Sequence, residues 1–225
     1  MKVQPPQPGC SILKVLVGSH AHGLADPESD QDFRSVFVIP TTDMFRVGFK
    51  YQGMKMMKEG EDETAWEVGH FLFLALQGHP LVLETLLAPV VVMDDWGAEL
   101  RQLFPHLWSA RNVYDSFMNY CENQRKKMLE KKDGRPAKYA ATYLRVLFNL
   151  CELLERGTFT IRIAETPIGD SVRKIKQGDY RLGEVIDMGE YWTGEATSRL
   201  ITCRRQSRPD LADDFLIKLR TAYVK

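Results

Sequence analysis

Two short apolar runs near the start of the chain, Ile12–Val17 and Phe33–Ile39, constrain the fold most. Both are rich in β-branched residues. One stops at Gly18 and the other at Pro40, as buried strands do. Between them, His20–Asp30 reads as a loop, with Gly23, Asp26-Pro27 and Ser29 as turn formers. Lys50–Lys58 reads as a third strand with a bulge at Gly53, and Val90–Met93 as a further short one. TAWEVGHFLFLALQ, Thr64–Gln77, is expected to be a helix capped by Asp62 or Thr64 and ended by Gly78, with a second short helix at Pro80–Leu87.

Beyond residue 95 the pattern turns helical. Helices are expected at Trp96–Phe104, Val113–Lys131, Ala137–Glu155, Pro167–Gln177, Leu182–Glu195 and Pro209–Tyr223, with TFTIRI after Gly157 as a short strand. The fold class is therefore α+β. A sheet-bearing front portion, residues 1–95, precedes a helical portion, residues 96–225, in one compact body with a cleft between two lobes. Residues 1–10 read as a loose tail.

Charge narrows the function classes. Thirty basic residues balance thirty acidic ones, so bulk charge points to no nucleic-acid or membrane partner, and only a local patch would serve one. The four cysteines are dispersed without a C-x-x-C pair, as reduced intracellular thiols are. No signal-peptide core follows the polar N-terminus and no apolar run reaches the roughly 18 residues of a membrane span. A soluble, cytoplasmic protein is expected.

The chemistry concentrates around the second run. In a strand beginning early enough, Asp30, Asp32 and Arg34 project to one side. Side-by-side carboxylates repel, and a divalent cation offsets that; hard oxygen ligands at this spacing suit Mg²⁺ or Mn²⁺. Gly18-Ser19, just after the first strand, offers a backbone amide and a hydroxyl to a phosphate, and Gly18 lacks the Cβ that would block the approach. Two-metal phosphoryl transfer calls for a third carboxylate, and Glu61, Asp62 and Glu63 are all candidates. On the third rear helix, Ala140, Leu144, Leu147, Cys151 and Leu154 form a core stripe. Lys138 and Arg145 lie two turns apart on another face, spaced to grip the β- and γ-phosphates of a nucleotide. Arg125-Lys126-Lys127, Lys131-Lys132 and Arg135 make a local basic rim suited to a polynucleotide.

Other chemistries fit less well. His20-x-His22 has no further acid or histidine at zinc spacing, and Gly18-Ser19 begins neither a Walker loop nor a serine-hydrolase elbow.

VLVGS, SDQDFRSVFV and GEDETAWEV together resemble the motif set of the DNA polymerase beta nucleotidyltransferase superfamily. More narrowly, GSHAHGLADPESDQDFRSVFV is similar to the G-S-x-A-x-G-L-x-x-x-x-S-D-x-D-x-R motif of a predicted, RlaP-like nucleotidyltransferase subfamily of bacteria and phages, some of whose members are associated with RNA repair. FLFLALQGHPLVLETLLAP resembles that subfamily's helix pair, with His79 where an Asn is common, and KYAATYLRVLFNLCELLERG its lysine- and arginine-bearing helix. The likeness covers about two thirds of the chain and is diffuse beyond Gly157. It implies a nucleotidyltransferase-type mixed sheet and transfer of a nucleoside monophosphate from a nucleoside triphosphate to a hydroxyl, an RNA end being one candidate acceptor. Asp30, Asp32 and Asp62, the last favoured by the motif over its neighbours, would hold Mg²⁺ or Mn²⁺. Gly18, Ser19, Arg34, Lys138 and Arg145 would bind the nucleotide. A non-catalytic nucleotide-binding or antitoxin-like module is the alternative, and a metal-dependent phosphohydrolase is a third.

Overall fold

A computed structural model describes residues 11–49, 55–57 and 62–224 of the chain. The expected tail over residues 1–10, Gly53 and Glu61 lie outside these. Five strands, β1 (Ser11–Val17), β2 (Asp32–Phe37), β3 (Lys55–Met57), β4 (Glu63–Glu67) and β5 (Val90–Met93), form one mixed sheet in the order β3-β4-β2-β1-β5. β1 runs antiparallel to β2 and β5, and β3 antiparallel to β4, while β2 and β4 are parallel.

That parallel pair is a correction. Residues 63–67, expected as the first turn of a long helix, are instead a strand registered Phe33 to Glu63 and Phe37 to Glu67. The helix α3 starts only at Val68 and ends at Leu76. Its cap is neither Asp62 nor Thr64 but Glu67, whose carboxylate accepts the Gly69 N–H at 2.7 Å. The physical reason is burial on both faces. Glu63, Ala65, Trp66 and Glu67 are all buried, so the alternation that marks a half-exposed strand is missing. Glu63 is compensated by Lys14 at 2.8 Å and by the Ser35 hydroxyl, and Glu67 by Arg220.

Gly78, at φ +74°, ends the turn after α3, and α4 (Pro80–Leu87) follows with Pro80 in its first turn. These two apolar helices are bent by 112° to one another, and no single described helix is long and apolar enough to cross a membrane. The rear is helical as expected: α5 (Asp95–Gln102), α6 (Ala110–Leu129), α7 (Pro136–Arg156), α8 (Gly169–Lys176), α9 (Leu182–Thr202) and α10 (Pro209–Ala222). α9 runs a full two turns beyond the expected end. TFTIRI forms no strand; it passes in an irregular course to a single 3₁₀ turn at Ile163–Glu165, with the Thr160 N–H held by Glu152 at 2.8 Å. Two single-turn helices complete the set, α1 (Gly18–Ala21), where only a loop was expected, and α2 (Thr41–Met44).

α7 is the central pillar, packed against α6, α8 and α9. Its expected core stripe is buried, and Arg145, Asn149 and Glu152 of the polar face are buried too. One hydrophobic core runs through sheet and helices, from Ile12, Val15 and Val36 through Phe71 and Leu83 to Phe117, Leu147 and Leu219. α10 closes the chain back on the sheet, its Arg220 carbonyl accepting the Thr41 hydroxyl at 2.6 Å and its guanidinium donating to Ile39 O at 3.1 Å.

Candidate active site

The sheet gathers three of the sequence candidates at one edge. Val17, the last residue of β1, pairs with Asp32, the first of β2, so the chain leaves β1 at Gly18 directly beside Asp32. Gly18 has φ +68°, and a Cβ placed there would fall 1.9 Å from Asp32 Oδ2. The position demands glycine twice, for its backbone and for the carboxylate that fills the vacant space. On the other side, the Phe33 N–H donates to Asp62 O at 2.9 Å, which extends the parallel ladder by one residue and brings Asp62 level with Asp32. Residues paired across strands face the same way, so the two carboxyl groups stand side by side, near enough for Asp62 to act on the proton affinity of Asp32.

Electrostatics at this pair are unbalanced. Burial first, and then the Asp62 carboxyl, push the Asp32 pKa above the ordinary aspartate value, while Lys138 and Arg34 pull the other way. Lys138, exposed in the first turn of α7, is near enough for its charge to act on Asp32. Asp62 is exposed. Of the three acids at the start of β4, Glu63 is engaged by Lys14 and Ser35, and Glu61 lies outside the described residues. Asp30 is exposed in the loop before β2. Among the described residues no three His, Cys, Asp or Glu side chains converge to hold a metal ion. The Asp32–Asp62 pair nonetheless fits Mg²⁺ or Mn²⁺ as a donor set. These ions take one or two carboxylates and fill their remaining positions with water and phosphate oxygens.

Ser19 sits in α1, half-buried, its carbonyl accepting the Leu24 N–H at 2.9 Å. The loop beyond is held from the rear. Lys176 of α8 donates to Leu24 O at 2.7 Å and reaches Asp26 and Ser29, and His20 Nε2 lies 2.9 Å from Ser29 O.

Arg34 and Arg145 turn to a different group, one that sequence reasoning missed. Both donate to Glu84 of α4 at 2.6 Å, Arg34 to Oε2 and Arg145 to Oε1. Arg34 also donates to Leu81 O at 3.0 Å, and His22 Nε2 reaches Glu84 Oε1 at 2.8 Å. The Glu84 side chain is 3% exposed and its three partners no more than 14%. Burial alone raises the Glu84 pKa, but Arg145, Arg34 and His22 together outweigh it and hold the carboxyl well below the usual range. His22 is pushed below its ordinary value, by burial first and Arg145 second. The sequence signal was available: in PLVLETLL a lone carboxylate stands on a helix apolar everywhere else but at Thr85, and such a charge is buried only when paired.

Two clefts open elsewhere, of about 610 and 410 Å³, sharing Glu155, Arg156 and Arg199 along the ends of α7 and α9. None of the candidate residues lines either one.

A model of the RNA repair pathway DNA polymerase beta family, RlaP, matches residues 9–173, which span β1 to α8 and hold every candidate residue. An "uncharacterized 38.9 kDa protein in nrdC-mobD intergenic region" of Enterobacteria phage T4 is 32% identical over 95 residues. That similarity takes in 38% of this chain and 28% of the phage protein, so the chain spans less than a third of that relative's length.

Proposed function

We propose, from the premise that this chain belongs to the RNA repair pathway DNA polymerase beta family, that it is a nucleotidyltransferase. In this reading an acceptor hydroxyl attacks the α-phosphorus of a nucleoside triphosphate. The new O–P bond forms as the bond to the β-phosphate oxygen breaks, and pyrophosphate leaves. The observation that carries the reading is the seating of the Asp32 carboxyl against the Gly18 bend, with Asp62 level with it on the neighbouring strand.

Each residue then has a task. Asp32 and Asp62 would hold Mg²⁺ or Mn²⁺, with Asp30 as the third acid from the exposed loop before β2. When bound, such an ion offsets phosphate charge and lowers the pKa of the attacking hydroxyl. A carboxylate of this site accepts the proton that the hydroxyl gives up. The Gly18 bend and the Ser19 hydroxyl take the β- and γ-phosphates. Lys138 neutralises charge on the leaving pyrophosphate, with Arg34 and Arg145 adding positive potential behind it. The front sheet and the rear helices, residues 1–95 and 96–225, act as the two walls of this cleft. The basic residues around the α6–α7 turn, Arg125 to Arg135, suit a polynucleotide acceptor such as an RNA end.

The test incubates the protein with each α-labelled nucleoside triphosphate, Mg²⁺ or Mn²⁺, and mixed RNA. Label joined to RNA with stoichiometric pyrophosphate, abolished by EDTA, is the expected result. Free labelled monophosphate would replace transfer with hydrolysis. Tight nucleotide binding without pyrophosphate would replace catalysis with a binding module.

A further inference from the structure

We propose that Glu84 is a positioning residue. Its single buried carboxylate sets the distance between the acids at the sheet edge and the cations of α7. The inference rests on the nucleotidyl-transfer reading above.

The argument starts from what Glu84 joins. Its three partners come from three separate segments, and each segment carries a residue of the proposed site. His22 follows the Gly18-Ser19 bend, its N–H donating to Gly18 O at 3.0 Å. Arg34 lies two residues after Asp32 on β2, hence on the same side of the sheet. Arg145 lies two turns after Lys138 on α7, along the same side of that helix. Glu84 therefore reaches the phosphate bend, the acid strand and the cation helix through one side chain, with contacts of 2.6 to 2.8 Å. Each arm is short, a strand step or at most two helical turns, and runs through regular secondary structure.

Stability alone does not account for such a group. A buried ion-pair cluster is usually matched or bettered in stability by apolar residues of similar volume. α4 is apolar at nearly every other position, so the helix itself does not call for a carboxylate at 84; its partners do. What an apolar residue cannot do is hold two guanidinium groups and an imidazole at fixed distances. Directional, charge-assisted hydrogen bonds do that, and phosphoryl transfer is sensitive to errors in geometry of about 1 Å.

Glu84→Gln keeps the volume and one acceptor oxygen but places an NH₂ group against donors. The expected result, in the transfer assay with pyrophosphate readout, is a fall in kcat of about 50-fold with KM for the nucleotide within about threefold. The far-UV circular dichroism should match the wild type. A structural role alone would lower the folded fraction and leave kcat per folded molecule unchanged. His22→Gln cuts one arm only and covers the case in which Glu84→Gln does not fold; it should lower kcat about fivefold, again with little change in KM. An active wild type with both folded variants at wild-type kcat, or with losses confined to KM, overturns the positioning role and leaves the nucleotidyl-transfer reading standing. If Glu84→Gln does not fold, a wild-type kcat in His22→Gln alone overturns it. A wild type that transfers no nucleotide under any condition overturns both.

Discussion

Two carboxylate sites share strand β2, one at Asp32 and one reached through Arg34, and they are built on opposite terms. At Glu84 a single negative charge is shut away from water and met by two guanidinium groups and an imidazole. At Asp32 two carboxyls stand side by side at the starts of neighbouring strands, one half-buried and one exposed, with a lysine and an arginine as partial offsets. The first arrangement is complete within the chain. The second leaves two acids side by side, an imbalance that the cation of the proposed function would relieve. A fold that satisfies one cluster so fully and leaves its neighbour unbalanced is what the proposed function expects of a binding site.

Substitutions should separate the two. The largest effect is expected for Asp32→Asn, which should reduce pyrophosphate release by about 10³-fold or more. Its melting temperature should hold or rise, because a repelling charge is removed; a variant that melts earlier and retains activity would break the contrast. Glu84→Ala should do the reverse of Asp32→Asn on stability. It strands two buried guanidinium groups, and urea unfolding should show a loss of about 3 kcal/mol. A loss under about 1 kcal/mol would show that water or a rearranged partner completes the hub as well as Glu84 does.

Lys138→Ala is expected to be smaller. The side chain is exposed, so unfolding should be unchanged, while nucleotide Kd rises about tenfold at low salt and less at high salt. The smallest effect concerns pH. The folded protein holds His22 below its ordinary value of 6.5, so on acidification the unfolded chain takes up that proton first. Stability tied to His22 is therefore complete above pH 6.5 and falls as the pH drops below it. Glu84, held well below 4.5, adds a second loss only at lower pH. In urea titrations at successive pH values, His22→Asn should flatten the upper part of this slope and leave the lower part in place.

How much of this was legible depended on whether the signal was local. β1, β2 and β5, the start of α4 and the helices from α5 onward follow apolar period and turn residues that any short window contains. β4 was hidden because Glu63 and Glu67 look like helix-formers, and the Lys14 and Arg220 that compensate them are remote in sequence. TFTIRI carries strand-like residues, but strands need a ladder, and its Thr160 amide bonds to a helix side chain instead. At the site, Gly18, Asp32 and Asp62 were readable as residue types from their motifs. Arg34 and Arg145 were readable as cations, but not as partners of Glu84, since that pairing joins residues 50 and 61 positions apart.

The parallel pairing of β2 with β4 has one more consequence. Asp32 and Asp62 stand level at the starts of neighbouring strands, so the gap between them is gauged by the hydrogen-bond ladder, whose rungs are about 4.8 Å across. The length of chain that joins the two strands does not enter. Insertions at the exposed turn Phe45–Gly48 would leave this ruler untouched, and that turn is free to diversify while the two acids keep their spacing.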